Sequence, residues 1–320
     1  MTLSAFGRSP MEPLEAGASP IEVAPGTLAE AARRFSGNRL AVGGLIVASL
    51  ILLAAIFAPI LAPQPPDFAV FSEVFQFPSQ AHPFGTDGVG RDFLSRVLFG
   101  ARTSMTVGLL TPLLSGLIGI PLGALAGWRG GRLDFVFLRI VEVTTAIPGY
   151  MLAILLVTVW GGGLDKLILY FVVVGWVAPG RLARAQFVAL KPREFVLSAR
   201  ALGASDWRLM ARHILPNAAG PMVVMLVMGI PDAIFSEAGL SVLGLGVNDP
   251  IPSWGKMIAD GAPYANVYWY LLVIPTVLIA VTMLAFTFIG DGLRDALDPH
   301  SQRTSVIARK TRGALMARRS

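Results

Sequence analysis

The sequence predicts an all-α polytopic membrane protein with six transmembrane helices, and three observations carry that prediction. Of its 320 residues, 54% are hydrophobic and only 14% are charged. The apolar residues gather into six stretches almost free of charge, not into the amphipathic periodicity of a soluble core. Between the fourth and fifth stretches lies a polar, basic segment, residues 194–217, that a bilayer core would not admit.

The elements follow in order. Residues 1–39 form a polar leader with Pro20, Pro25 and the Arg33-Arg34 pair. A signal peptide's apolar core would be shorter and nearer the start, so the helix over 40–61 is expected to be retained, with residues 1 to about 28 mobile. Residues 62–102 form a long external loop. The stretches 40–61, 103–128 and 267–290 each exceed the roughly 20 residues needed to cross the hydrocarbon core. The third, 143–160, is adequate. The fourth, 167–180, covers only ~21 Å at about 1.5 Å per residue, so it recruits turns to residue 184, with Arg181 and Arg184 snorkelling outward. The fifth, 218–247, is interrupted by Pro231, Asp232 and Glu237 and reads as a broken or kinked helix. A basic tail, 291–320, follows, and its arginine-rich end suits anionic lipid.

Charge sets the orientation. If the N-terminus is cytosolic, 21 of the 26 basic residues fall inside, leaving Arg91, Arg96, Arg102, Lys166 and Lys256 outside. That asymmetry and an even number of crossings place both termini and residues 194–217 in the cytosol. It also explains the net charge of +6 without nucleic acid. The absence of cysteine excludes disulfides, thiolate metal sites and a cysteine nucleophile.

The polar segment reads as a helical hairpin. Phe195, Ser198, Ala199 and Leu202 recur at helical spacing and lead to Gly203, which suits the left-handed cap position. Ser205 offers an N-cap, Asp206 sits well in a first turn, and Trp207, Met210, Ala211 and Ile214 form an amphipathic stripe that Pro216 stops. The hairpin either lies on lipid headgroups or touches a soluble partner.

Other polar groups have competing readings. His82, Asp87 and Asp92 could form a metal trio, but the surrounding glycines and proline favour tight turns with polar caps. Charges at membrane depth cost roughly 2.5–3.5 kcal/mol each, so Asp232 and Glu237 must face water, a partner or the bundle interior, and Pro231 to Glu237 either line a translocation path or sit at a subunit seam. Glu142 follows Arg139 at i, i+3 and needs no further role. Gly116, Gly119 and Gly123, with Gly239, Gly244 and Gly246, permit close helix contact. Trp254, Tyr264, Tyr268, Trp269 and Tyr270 suit an aromatic belt at the outer start of the last span. No phosphate-binding loop surrounds any lysine, and His82, His213 and His300 are far apart with no metalloprotease pair or serine elbow around Ser241.

The hairpin resembles the EAA loop of ABC importer permeases, whose pattern runs Glu-Ala-Ala-x-x-x-Gly and ends in Ile-x-Leu-Pro. Ala199, Gly203, Leu215 and Pro216 match it, whereas Leu197 replaces the glutamate, Ser198 the first alanine and His213 the isoleucine. The external loop resembles the C-type subunit of dipeptide, oligopeptide and nickel permeases through Gly85-Thr86-Asp87, Gly90-Arg91-Asp92 and Leu94-Ser95-Arg96. The likeness returns at Glu237-Ala238-Gly239-Leu240-Ser241, Pro252-Ser253-Trp254-Gly255 and the run from Gly290 to Pro299.

That resemblance implies a type-1 (MetI-like) permease bundle with a core domain over 103–290 and a coupling loop over 191–217. It also implies a homologous second permease in a heterodimer, two cytosolic ATPase subunits holding ATP and Mg, an external solute-binding protein, and a bacterial inner-membrane location. This chain itself would bind no cofactor and catalyse no reaction. The expected contact with the ATPase comprises Glu194, Ser198, Ala199, Leu202, Gly203, Ala204, Ser205, Trp207, Leu215 and Pro216. Two other classes compete: a secondary transporter, which would carry solute alone but for which no internal repeat is visible, and a remote intramembrane hydrolase using Ser241.

Overall fold

The structure, a computed structural model, describes residues 28–297. The expectations for the leader before residue 28 and for the tail from residue 298 lie outside the described residues. A helix that the sequence reading missed, α1 (Leu28–Gly37), precedes the first span, with Glu30 paired to Arg34 one turn on. Asn38 then caps α2 (Arg39–Ile56), accepting from the N–H groups of Leu40 at 3.1 Å and Ala41 at 3.2 Å. The helix stops short of residue 61 because Pro59 offers no N–H to the Ala55 carbonyl, and the chain restarts as α3 (Ala58–Leu61).

The second span starts well before residue 103, as α4 (Phe93–Arg129), because Asp92 caps it by accepting from the Ser95 N–H at 2.8 Å. Its 37 residues run about 55 Å at 1.5 Å each, so the helix outreaches a ~30 Å hydrocarbon core. The third span is two helices, α5 (Gly131–Ala146) and α6 (Gly149–Trp160), bent by 79°. Pro148 is the cause, since it lacks an N–H and holds Ile147 in extended backbone at φ −84°, ψ 121°. The fourth span joins α7 (Leu164–Gly175) to α8 (Val177–Leu190), a helical run that takes in both arginines, of which Arg181 is exposed. Arg184 does not snorkel: its guanidinium grips the Asp134 carboxylate of α5 with two hydrogen bonds, the Nη2 bond at 2.7 Å.

Of the break or kink expected in the fifth span, the break is absent. α11 (Leu215–Val242) runs helically through Pro221 and Pro231. A second unanticipated helix, α12 (Trp254–Gly261), is capped by Ser253, and α13 (Tyr270–Leu297) continues past Gly290. Five of these units are long and apolar enough to cross a membrane, six if the bent α5–α6 pair is one span.

The helix α4 packs against α2, α7, α8, α11 and α12, while α13 lies between α2 and α11. Two of the small residues of α4 serve α8, not the fifth span: a Cβ on Gly123 would sit 1.9 Å from the Gly180 carbonyl oxygen. Gly116 does meet the fifth span, at Leu226. Gly244 packs against nothing within 4 Å and instead ends α11 at φ +76°. A Cβ on Gly292 would lie 2.3 Å from that of Ala41, and one on Gly220 lies 3.4 Å from Leu297 Cβ. The start of α2, the start of α11 and the end of α13 therefore share one face, the hairpin end. Residues 62–92 and α12 close the opposite face, the cap end.

Candidate functional site

At the hairpin end, α9 (Glu194–Ala201) closes as the sequence anticipates. Gly203, at φ +84°, donates to the Arg200 carbonyl at 2.9 Å, and Ala204 donates to the Ala199 carbonyl at 3.1 Å, the two bonds of a Schellman cap. Ser205 then caps α10 (Asp206–Arg208), its Oγ accepting from the Arg208 N–H at 3.4 Å.

The faces of the hairpin differ only in part from those predicted: Phe195, Ala199, Met210 and Ile214 do turn to the bundle. Val196, Leu209 and Ile214 are the buried anchors, seated with Phe187 and Ala218 on the bundle. Leu202 is 89% exposed and Trp207 75% exposed, so neither belongs to an inward stripe. Glu194, Ser198, Gly203, Ser205, Leu215 and Pro216 are also exposed, while Ala199 and Ala204 are half-buried. Pro216 does not stop the helix. A π turn, Leu209–Ile214, precedes it, with Leu215 donating to the Met210 carbonyl, and the wider turn takes the proline into the first turn of α11.

The roots of the hairpin rest on Trp128, which the sequence reading missed. Trp128 is 2% exposed, with the Arg200 guanidinium 5.1 Å and the Lys191 ammonium 5.4 Å from its ring centroid. Lys191 Nζ also donates to the Trp128 carbonyl at 2.6 Å, satisfying an orphan acceptor at the negative end of α4.

In α11, Pro231 is buried and Asp232 exposed. Glu237 is 0% exposed within this one chain, the bundle-interior placement among those its charge allows. Its Oε1 accepts from Ser241 Oγ at 2.8 Å and Ser253 Oγ at 2.7 Å, and its Oε2 accepts from Ser104 Oγ at 3.5 Å. The carboxylate thus clasps α4, α11 and the cap of α12 together. Ser241, its hydroxyl committed to Glu237, has no place in a nucleophilic triad. His82 stands in the cap and His213 in the π turn.

The cap motifs form a closed polar lattice. Asp87 accepts from the Val89 and Arg91 N–H groups at 3.0 and 2.9 Å and pairs with Arg91 Nε at 2.7 Å and Arg96 Nε at 3.4 Å. Asp92 turns away from it to His82 Nδ1 at 2.9 Å, so the imagined trio is not assembled. Burial pushes the Asp249 carboxyl up, but the Lys256 hydrogen bond and the charges of Lys256, Arg91 and Arg96 outweigh it and hold the group below its ordinary range. Thr86 accepts from the Gln76 N–H at 2.8 Å, and its carbonyl receives Tyr270 Oη at 2.7 Å. Tyr270 and Trp254 are therefore buried struts, the latter donating Nε1 to the Val97 carbonyl at 3.1 Å. Only Tyr264, Trp269 and, partly, Tyr268 are placed as an aromatic belt requires.

Comparisons with known proteins agree with this geometry. Residues 119–303 match the family model described as "Binding-protein-dependent transport system inner membrane component", and residues 26–82 match "N-terminal TM domain of oligopeptide transport permease C". The chain is 43% identical over 270 residues to the oligopeptide transport system permease protein OppC of Bacillus subtilis, covering 84% of this chain and 88% of that one. It is 40% identical over 275 residues to the dipeptide transport system permease protein DppC of the same organism, covering 86% of each. The glutathione transport system permease protein GsiD of Pectobacterium atrosepticum is 37% identical over 268 residues, 83% of this chain and 89% of that one. Among solved structures, an inward-facing MetNI methionine ABC transporter chain superposes with a TM-score of 0.53 at 18% identity, covering 64% of this chain and 98% of that one, a likeness of fold.

Proposed function

The chain belongs to the binding-protein-dependent transport system inner membrane component family, and from that premise we propose that it forms half of the translocation path of an ATP-driven importer for peptides or a related solute. A homologous permease supplies the other half, two ATPase subunits supply ATP hydrolysis with Mg, and an external binding protein delivers the solute. The three relatives named for oligopeptides, dipeptides and glutathione support the peptide class of cargo.

One observation carries the coupling role: the tip of the hairpin is rigid yet bare. The Schellman cap fixes its backbone, while a Cβ on Gly203 would meet nothing within 4 Å and Leu202 and Trp207 project outward. An apolar tip held still in water fits the cleft of a soluble ATPase better than a mobile headgroup loop. The hairpin end is then cytosolic, as its basic residues favour, and the cap end meets the binding protein. Asp232, exposed beside Pro231 in α11, is the remaining candidate to line the path or face the second permease.

The test is Gly203→Trp in the full transporter reconstituted with its partners. Uptake should fall by about tenfold or more, inside the usual span of coupling energies, while ATP hydrolysis persists. Normal uptake by stably inserted variant would sink the assignment.

A further inference from the structure

We propose that Trp128 is the bearing through which displacement of the hairpin enters α4. This rests on the coupling role of the hairpin given above and adds a route into the bundle. The hairpin touches the bundle on one patch, where Val196, Leu209 and Ile214 gather with Phe187 around Trp128. Two cations from the hairpin and its root, Arg200 and Lys191, hold the indole by its ring, and Lys191 also holds its carbonyl. The joint is stiff in the neighbouring direction too. A Cβ on Gly127 would lie 2.6 Å from the Arg184 carbonyl oxygen, and Arg184 ties α8 to Asp134 of α5. No slack separates α4 from α8 there, so movement of the hairpin carries the end of α4 with it.

The helix α4 is suited to relay that movement, because it holds the indole at the hairpin end and side chains of the cap motifs at the other. Trp128 sits in its last turn, and in its first turns Asp92, Arg96 and Val97 hold His82, Asp87 and the Trp254 indole of the cap. Pro112 and Pro121 remove single bonds without ending the helix. Glu237 and Ser104 then join α12 to the same helix, so a shift at Trp128 reaches the face where solute arrives.

Trp128 is a positioning residue: it touches neither nucleotide nor solute. In the reconstituted transporter, Trp128→Ala should keep the ATPase subunits bound but lower uptake per ATP by about tenfold, whereas Trp128→Phe, which keeps an aromatic face for Arg200, should stay within about twofold of the parent. Unchanged uptake per ATP in the alanine variant would overturn the proposal, as would loss of ATPase binding, which would make Trp128 a docking support. A second measurement leaves Trp128 intact. Because the chain has no cysteine of its own, spin labels attached at Leu197→Cys and Arg129→Cys before assembly with the partner subunits report the distance from α9 to the end of α4. That distance should be the same in nucleotide-free and vanadate-trapped transporter, and a change would show the hairpin pivoting freely. If Gly203→Trp leaves uptake normal, the coupling role itself fails; if it uncouples and the label distance still changes, only the bearing fails.

Discussion

Gly90 and Gly203 have nearly the same backbone, φ +80° and +84°, and opposite surroundings. A Cβ on Gly90 would strike the Val70 carbonyl oxygen at 2.0 Å, while one on Gly203 would enter open space. The cap glycine is a fold requirement, answered from within the chain. The hairpin glycine satisfies the backbone and leaves its outer side unanswered. The same contrast runs through the neighbours, since Asp87, Asp92, Arg96 and Tyr270 are all partnered inside the cap, whereas Leu202 and Trp207 have only solvent. A surface kept rigid and left apolar beyond the spans, opposite a cap whose motifs are answered from within the chain, marks where a partner completes the structure.

The largest effect expected from this contrast is at the cap. Gly90→Ala carries the left-handed penalty of about 1–2 kcal/mol and an overpacking cost of about 1–3 kcal/mol against backbone that cannot swing away. Gly203→Ala carries the first term alone. Thermal unfolding of the two purified variants should therefore differ, with the Gly90 variant melting lower; equal midpoints would show that the cap has slack the geometry denies.

Glu237 sharpens the comparison next. Removing its carboxylate in Glu237→Ala leaves the Ser241, Ser253 and Ser104 hydroxyls short of their acceptor inside the bundle, at a cost of about 3 kcal/mol. Glu237→Gln keeps one acceptor oxygen and should cost about half as much. The melting midpoint should order parent, glutamine, alanine. An alanine variant that melts like the parent but fails to import would instead make Glu237 a transport group, and the cap end would no longer be self-contained.

The sequence made some of this legible and some not, and the division follows how local the chemistry is. Gly203 and Ser205 were readable because a helix cap uses residues a few positions apart. The spans were readable because hydropathy is a running sum. The prolines were not: Pro148 bends its span by 79°, while Pro216 and Pro231 pass within a continuous helical run. Whether a proline breaks a helix depends on how the neighbouring turns accommodate its ring and missing N–H, here through a π turn before Pro216, and the local sequence does not encode that. The Asp134–Arg184 pair, the cations on Trp128 and the bonds of Ser104 and Ser253 to Glu237 join separate elements, so no short window of sequence holds both partners. The same limit made Trp254 and Tyr270 look like belt residues when they are internal struts.

The smallest expected change in stability is the most telling for function. Trp207, 75% exposed, makes up part of the apolar tip without any of the buried packing that holds the hairpin to the bundle. Trp207→Ala should therefore change the stability of the isolated chain by no more than about 0.5 kcal/mol, the usual scale for a surface site, and barely move its melting midpoint. Against the ATPase the same truncation removes an aromatic anchor, a class of residue whose loss from an interface centre commonly costs about 2 kcal/mol or more. Co-purification of the ATPase subunits should weaken accordingly, in a variant that folds as well as its parent. If binding is undiminished, the bare tip is not the contact centre, and the asymmetry between Gly90 and Gly203 needs a different cause.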